Sequence, residues 1–135
     1  MMQTRLLDGK RGLIVGVANQ RSLAWGIAQS CRNHGAELAF TYLNEALEKR
    51  VRPLAASVGS EIVLPCDVQD DAQLDQLFVD LQQRWGRLDF LLHSVAYASG
   101  DDLKEQFINT SREGFKLAMD VSAYSLVALT KRAQS

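Results

Sequence analysis

Residues 13–26 read Leu13-Ile14-Val15-Gly16-Val17-Ala18-Asn19-Gln20-Arg21-Ser22-Leu23-Ala24-Trp25-Gly26. Here a short apolar run meets a glycine, passes through a polar loop and enters a pattern in which Leu23, Ile27 and Cys31 recur every four residues. The pattern predicts a buried strand, a tight turn and a helix that buries Leu23, Ile27 and Cys31 and ends at Gly35. Gly26 is expected to let this helix pack closely against the strand.

The same alternation of strand and helix repeats three more times along the chain. Apolar runs at residues 38–40, 62–64 and 90–92 predict three further strands, each buried on both faces. A helix is predicted after each of these strands. The first covers residues 45–58 and ends at Gly59, and the third runs towards Lys131 behind a capping box of Thr110 and Glu113. The second ends at Gly86 and has an apolar stripe of Leu74, Leu77, Phe78, Leu81 and Trp85.

Repeated strand and helix units predict an α/β fold, a parallel sheet with helices on both faces, because each right-handed crossover places its helix over the sheet. The expected strand order is 3-2-1-4, and residues 1–135 are expected to form the N-terminal part of a single Rossmann-type dinucleotide-binding domain, truncated before a fifth strand. Ligands of such sheets lie beyond the carboxyl ends of the strands. The loops after Val15 and Leu92 therefore form the candidate site.

Composition limits the classes of partner. Fifteen basic and sixteen acidic residues give a net charge of −1, which argues against binding to nucleic acid or to an anionic membrane. The N-terminus has no apolar signal core and no segment approaches a membrane span of ~18 apolar residues, so a cytoplasmic protein is expected. Cys31 and Cys66 lack metal-ligand spacing and are expected to be reduced core residues, and no metal site is predicted.

The loop after the first strand meets the physical requirements of a phosphate site. Gly16 permits a tight turn, Ser22 can cap the helix, and a helix N-terminus offers free amides to a pyrophosphate. An ordinary loop with a capping serine is the alternative, and the loop alone does not decide between the two.

Asp67 and Val68 follow the third strand. The Asp67 carboxylate can accept a hydrogen bond from an adenine amino group, while Val68 supplies a backbone contact. From spacing alone, a helix cap at Asp67 or Asp70 is slightly favoured.

His93 ends the fourth strand, and the small residues after it allow the backbone to approach a flat ring system. A hydrogen-bonded structural role is favoured for His93 over a role as general base, because the strand pattern leaves it at a buried strand end.

Five segments together resemble one family: GVANQRSLAWGIA, GAELAFTYLNE, CDV, HSVAYASGD and REGFKLAMDVSAYSLVAL. They are similar to the bacterial NADH-dependent enoyl-acyl carrier protein reductases, a branch of the short-chain dehydrogenase/reductase superfamily that completes fatty-acid chain elongation. The resemblance covers residues 7–131. Its most specific part is the first loop, where other short-chain dehydrogenases carry TGxxxGxG.

The resemblance implies a set of cofactor and substrate contacts. Those for NADH are Gly16, Ser22 and Leu23 at the pyrophosphate, Leu43, Asp67 and Val68 at the adenosine, and Ser94, Val95, Ala96 and Val121 at the nicotinamide end. Ala98 and Leu103 resemble positions that border the acyl pocket. Leu43 replaces a glutamine found in several relatives, so its contact with the adenosine would be apolar. Ala96 replaces a glycine found in some members, which slightly narrows the site for the nicotinamide ring.

The end of the second strand bears on the phosphate state of the cofactor. A 2′-phosphate needs a basic residue there, and residues 41–45 contain none. NADH is therefore expected to bind in preference to NADPH, although Lys49 and Arg50 one helical turn later keep the preference moderate.

No catalytic residue is assigned to this chain. The family's array is Tyr, six residues, Tyr, six residues and Lys, and the two partial matches, Tyr97 with Lys104 and Tyr124 with Lys131, precede the family's catalytic segment. A fragment is therefore expected, inactive alone, whose full-length family forms homotetramers and acts on enoyl thioesters of acyl carrier protein. The alternatives are a non-catalytic nucleotide-binding module and another short-chain dehydrogenase.

Overall fold

The computed structural model describes residues 5–135, which form one parallel four-stranded sheet in the order β3-β2-β1-β4. The strands are β1 (Arg11–Val15), β2 (Glu37–Tyr42), β3 (Ile62–Pro65) and β4 (Phe90–His93). Leu13 pairs with Ala39 on one side and Leu91 on the other, so β1 lies at the centre between β2 and β4. The predicted α/β class and strand order are confirmed.

Six helices join and follow the strands. They are α1 (Leu23–Asn33), α2 (Glu45–Ser57), α3 (Asp71–Arg84), α4 (Gly100–Lys104), α5 (Arg112–Met119) and α6 (Ser125–Gln134). A 3₁₀ turn at Phe107–Asn109 precedes α5, and a π-helical segment at Asp120–Tyr124 joins α5 to α6. The predicted ends of α2 and α3 are confirmed within one residue, and Gly59 and Gly86 beyond them have positive φ.

The core has two halves because strand side chains alternate between the faces of the sheet. Leu13 and Val15 of β1 pack on one face with buried residues of α3 and α6, such as Leu77 and Leu129. Ile14 packs on the opposite face with buried residues of α1 and α2, such as Val51. Helices therefore cover both faces, as the sequence predicts.

The predicted buried stripe of α1 is wrong. The helix buries Ala24, Trp25 and Ala28, whereas Leu23 is 83% exposed and Ile27 is 45% exposed. Residues 24 and 28 have the same four-residue spacing as 23 and 27, so spacing cannot choose between the two faces. Tertiary packing makes the choice.

Gly26 does not serve helix–strand packing either. It lies on the exposed side of α1, where an added Cβ atom would meet nothing within 4 Å.

The predicted capping box before the last helical region is wrong by one residue. Ser111, not Thr110, is the N-cap of α5, and its hydroxyl accepts a hydrogen bond from the Gly114 amide at 2.9 Å. Thr110 instead ends the 3₁₀ turn. The Glu113 carboxylate lies 3.8 Å from the Lys116 amino group, one turn further along the helix.

Within residues 5–135 no helix has the length and apolar character needed to cross a membrane. No cluster of metal-ligating side chains occurs in the same range. The first four residues of the predicted leaderless N-terminus lie outside the described residues.

Candidate functional site

A cavity of about 410 Å³ opens at the carboxyl ends of all four strands. Eight of the twelve site residues predicted from the sequence line it, namely Gly16, Leu43, Asp67, Val68, Ser94, Val95, Ala96 and Val121. The residues come from four separate loops and one helical segment. The parallel sheet is what brings them to a common edge.

Four predicted residues lie outside the wall of this cavity. Ser22 stands one position before α1, and Leu23 points largely to solvent. Ala98 is half-buried in the loop after β4, and Leu103 of α4 is 73% exposed. The contacts that the resemblance implies for these four residues therefore stay predictions.

The cavity also has lining residues that the sequence did not single out: Val15, Val17, Ala18, Thr41, Tyr42, Leu47, Cys66, Gln69, Tyr97 and Leu117. Most of them adjoin predicted positions in the same loops. Leu117 precedes Val121 by four residues, a spacing that could have indicated a shared helix face. No sequence pattern indicated that Leu47 lines the cavity, because its distance from the cavity depends on how α2 packs against the sheet.

Gly16 joins the loop after β1 to the loop after β4. Its φ of 116° is a conformation that residues with a side chain rarely adopt. A Cβ atom at this position would overlap the carbonyl group of Ser94. Glycine is therefore required here, and the two backbones touch where a ligand would enter.

Ser22 organises the loop between Gly16 and α1 in a way that differs from the prediction. Its hydroxyl makes no helix-cap hydrogen bond and instead accepts from the amides of Ala18 at 3.0 Å and Asn19 at 3.1 Å. The first amides of any helix lack intrahelical acceptors, so those of Leu23 and Ala24 remain available to an anion. The serine thus fixes the loop, while the helix end offers the donors.

Asp67 and Asp70 divide the roles that the sequence left open. Asp70 caps α3 by accepting from the amides of Ala72 and Gln73. Asp67 does not cap the helix. One of its carboxylate oxygens accepts from the Gln69 amide at 3.0 Å, and its own amide donates to the Gln73 side chain at 2.8 Å. Asp67 is therefore held in place at the cavity wall.

Tyr42 is the last residue of β2 and lines the cavity. The Arg52 guanidinium lies 5.9 Å from the centre of its ring and also pairs with Glu48 at 2.8 Å. Burial, and then the hydrogen bond with Glu48, raise the pKa of Tyr42, whereas the bond from Arg52 lowers the pKa of Glu48. The three side chains fasten the start of α2 to the end of β2.

His93 has the hydrogen-bonded structural role that the sequence favoured. Its Nε2 lies 2.7 Å from the Ser125 hydroxyl, and that hydroxyl donates to the Val121 carbonyl at 2.6 Å. Because a hydroxyl has one proton to donate, Nε2 of His93 must be the donor to Ser125. The histidine therefore links the end of β4 to α6.

The π-helical segment positions the remaining wall of the cavity. Val121 faces the cavity, and the adjacent Ser122 hydroxyl accepts from the Tyr97 amide at 2.9 Å and donates to the Tyr97 carbonyl at 3.2 Å. Ser122 thereby holds the loop after β4 against the helix. Segments of this kind are rare in proteins and are often found at functional sites.

Cys66 is a buried thiol on the wall of the cavity, 5% exposed. Burial, followed by the charge of Asp67, raises its pKa to about 11. Cys31 is half-buried in the other half of the core, and burial raises its pKa as well. Both thiols are free, as predicted.

Comparisons of the sequence with a family model and with curated proteins both match enoyl-(acyl carrier protein) reductases. The sequence model of the enoyl-(acyl carrier protein) reductase family matches residues 16–135. The NADH enoyl-[acyl-carrier-protein] reductase of Aquifex aeolicus is 55% identical over 126 residues, which are 93% of this chain and 47% of the relative.

Solved structures agree with the sequence comparison. The reductase of Anaplasma phagocytophilum in complex with NAD superposes with a TM-score of 0.94 at 44% identity, over 99% of this chain and 51% of that one. The Bacillus cereus enoyl-acyl carrier protein reductase with NADP+ and indole naphthyridinone gives 0.93 at 47% identity, over 97% and 52%. The chain therefore spans about half the length of these relatives.

Proposed function

Because this chain belongs to the enoyl-(acyl carrier protein) reductase family, we propose that residues 1–135 are the N-terminal, NADH-binding part of such a reductase. The reductase would reduce the 2,3 double bond of an enoyl thioester carried by acyl carrier protein. The observation that carries the proposal is the cavity at the carboxyl ends of the strands, walled by residues that the family resemblance implies. We assign residues 1–135 to a single dinucleotide-binding domain.

The shape of the cavity fits a dinucleotide. Gly16 keeps its entrance free of side-chain atoms, and the start of α1 beside it offers amides to a pyrophosphate. Asp67 and Val68 lie towards β3, on the side expected for adenine, while Ser94 and Ala96 lie beyond β4, on the side expected for the nicotinamide ribose. The two ends are separated by β2 and β1, as an extended cofactor requires.

Each wall has a defined task in this proposal. Asp67 orients the adenine amino group, and Ser22 keeps the phosphate loop in one conformation. Val121 and the backbone of residues 94–96 hold the nicotinamide end flat and exclude water from it. The bound cofactor supplies hydride to the β-carbon of the substrate. The chain itself positions the cofactor and is assigned no proton donor.

NADH is the proposed cofactor. The end of β2 presents Leu43 and Asn44, and the Asn44 side chain is engaged in capping α2 at 3.0 Å from the Leu47 amide. No basic side chain follows the strand directly. The NAD complex of the Anaplasma phagocytophilum relative supports this proposal, whereas the structure of the Bacillus cereus relative contains NADP+.

We assign the protein to the cytoplasm and the longer reductase to a homotetramer. The region from the 3₁₀ turn to α6 supports contact with another surface, since Phe107 is 85%, Ile108 83% and Val127 57% exposed. Phe107 and Ile108 are neighbours in the chain, and exposed apolar side chains that form a patch usually mark a protein contact.

The test is an absorbance assay of NADH oxidation with a short enoyl thioester. The protein encoded by a longer reading frame that contains this chain should oxidise NADH only when the thioester is present. The 135-residue chain should bind NADH without turnover. A non-catalytic module would bind NADH and never turn it over in either form. A reductase of ketones would turn over a keto substrate instead. Either of these results would contradict the proposal.

A further inference from the structure

The helical region that covers one end of the cavity has a line of inward-facing residues with a spacing of four. Leu117 and Val121 line the cavity, and Ser125 and Leu129 are fully buried further along. In a regular α-helix, residues four apart drift around the axis by about 40°, so positions 117 and 129 would differ by about 120°. The π-helical segment at Asp120–Tyr124 widens the turn within this line and reduces the drift. One helical region can therefore line the cavity and also fill the core.

Ser125 directly follows the π-helical segment, and its side chain bonds back into it. The Ser125 hydroxyl donates to the Val121 carbonyl, four residues earlier, at 2.6 Å. A serine that bonds to the carbonyl at i−4 competes with the backbone amide for that acceptor and often bends the helix. The hydroxyl therefore favours an interruption at this point over a continuous α-helix.

His93 connects the Ser125 hydroxyl to the sheet. Its Nε2 lies 2.7 Å from that hydroxyl and donates to it, because the single hydroxyl proton is directed to Val121. His93 ends β4, where its backbone is in register with Val15, and Ser94 directly after it lines the cavity. The Ser125 side chain is therefore held between the edge of the sheet that forms the site and the π-helical segment.

The π-helical segment makes two contributions to the cavity. Val121 is 7% exposed and forms part of the cavity wall. The Ser122 hydroxyl bonds to both the amide and the carbonyl of Tyr97, which lines the cavity as well. A return to a continuous α-helix would shift the register by one residue, which is about 100° around the axis. Val121 and Ser122 could not keep both contacts while α6 stays in the core.

We propose that His93 and Ser125 are positioning residues for the nicotinamide half of the site. The pair holds the π-helical segment against the end of β4, and the segment places Val121 and the loop that contains Tyr97 beside the cofactor. Neither His93 nor Ser125 lines the cavity, so both act through the segment and do not touch the cofactor. The inference rests on the proposed function, since it assumes a dinucleotide whose nicotinamide lies at this end.

The variants remove the pair from either side. Ser125→Ala deletes both hydrogen bonds, and His93→Leu deletes the donor to Ser125 with a small change in volume. His93→Gln keeps an N–H donor on a side chain of similar length. Ser60→Ala is the matched control, because Ser60 is 8% exposed, its hydroxyl donates to the Leu38 carbonyl at 2.6 Å, and it does not line the cavity.

Each purified protein is titrated with NADH and with ADP, which shares the adenosine and the pyrophosphate but has no nicotinamide. Ser125→Ala and His93→Leu should weaken NADH binding about three- to thirty-fold and change ADP binding less than about two-fold. His93→Gln should keep most of the NADH affinity. Ser60→Ala should lower the urea midpoint of unfolding, since it too loses a buried hydrogen bond, and should keep both affinities.

The outcomes separate this inference from the proposed function. Weaker NADH binding with unchanged ADP binding supports it. Unchanged NADH binding in Ser125→Ala and His93→Leu overturns it and leaves the proposed function intact. A parallel loss of NADH and ADP binding also overturns it, because the pair would then serve the fold as a whole.

The histidine variants keep the inference testable if Ser125→Ala does not fold, because His93 is only partly buried. NADH binding by His93→Gln that is as weak as that by His93→Leu would overturn the donor role of His93. Failure of the original protein to bind both NADH and ADP overturns the proposed function and this inference together.

Discussion

The backbone of Gly16 lies so close to Ser94 that a Cβ atom at position 16 would overlap the Ser94 carbonyl oxygen. The contact joins the loops that follow β1 and β4, the two neighbouring strands at which the order of the sheet reverses. In sheets of this type ligands bind at that point. The contact therefore fixes the mouth of the cavity and makes the identity of residue 16 critical.

Gly16→Ala should abolish NADH binding and destabilise the fold by at least about 2 kcal/mol, because positive φ and the overlap with Ser94 both oppose a side chain. The measurement is NADH titration together with urea unfolding. Gly26→Ala is the matched control. Its added methyl group meets open space in α1, so it should leave affinity unchanged and stabilise by about 0.5–1 kcal/mol. An alanine at position 16 that binds NADH normally would show that the contact does not shape the site.

Ser22→Ala should weaken NADH binding by about 0.5–2 kcal/mol, since the loop loses two hydrogen bonds that order the amides of Ala18 and Asn19. Free energies of unfolding should be measured for the unliganded variant at the same time. If stability falls and affinity does not, Ser22 has only a structural role. A larger fall in affinity than in stability supports its role in the phosphate loop.

Ser122→Ala should lower NADH affinity about two- to ten-fold, because the Tyr97 backbone loses both hydrogen bonds that hold its loop at the cavity. Ser57→Ala removes an exposed hydroxyl that bonds to Leu54 at the end of α2 and serves as control. Titration of both variants checks the expectation. Equal affinities in the two variants would contradict the role given to Ser122.

The Cys66 thiol should make the fold less stable in alkali. Burial raises its pKa from 9.0 to about 11, so between these values the unfolded chain loses the proton while the folded chain keeps it. Stability is therefore complete below pH 9 and falls as pH rises towards 11, by about 1.4 kcal/mol at pH 10.

Urea unfolding of the original protein and of Cys66→Ala at pH 8 and pH 10 measures this contribution. Lysines and tyrosines titrate in both proteins, so only the difference between the two pH dependences reports on Cys66. The original protein should lose about 1.4 kcal/mol more than the variant over this interval. Parallel losses would mean that Cys66 is as free to ionise in the folded state as in the unfolded state.

The order of elements and of strands could be predicted because it depends on local patterns. Buried parallel strands have continuous apolar runs, and glycines such as Gly59 and Gly86 end the helices before them. The face of α1 could not be predicted in the same way. Trp25 packs against Phe40 of β2, with ring centres 6.2 Å apart, and this contact between distant residues decides which side of the helix is buried.

The sequence predicted those cavity-lining residues that belong to strand ends and to the loops after them, such as Asp67 and Ser94. The part supplied by packing was not predicted. Leu47 reaches the cavity because Tyr42, Glu48 and Arg52 fasten α2 to β2. The π-helical segment contains no glycine or proline that would indicate a break in the helix. The sequence therefore indicated one continuous helix, whereas the structure has a π-helical segment between α5 and α6.

The most direct test of the central claim is an NADH titration of the purified chain, followed by changes in backbone amide chemical shifts. We expect saturable binding of one NADH, with the largest shifts in the loops after β1, β3 and β4. We also expect loss of binding in Val121→Trp, whose larger side chain would fill the nicotinamide end of the cavity. Binding that survives this substitution, shifts centred on α3 and α6, or the absence of saturation would contradict it.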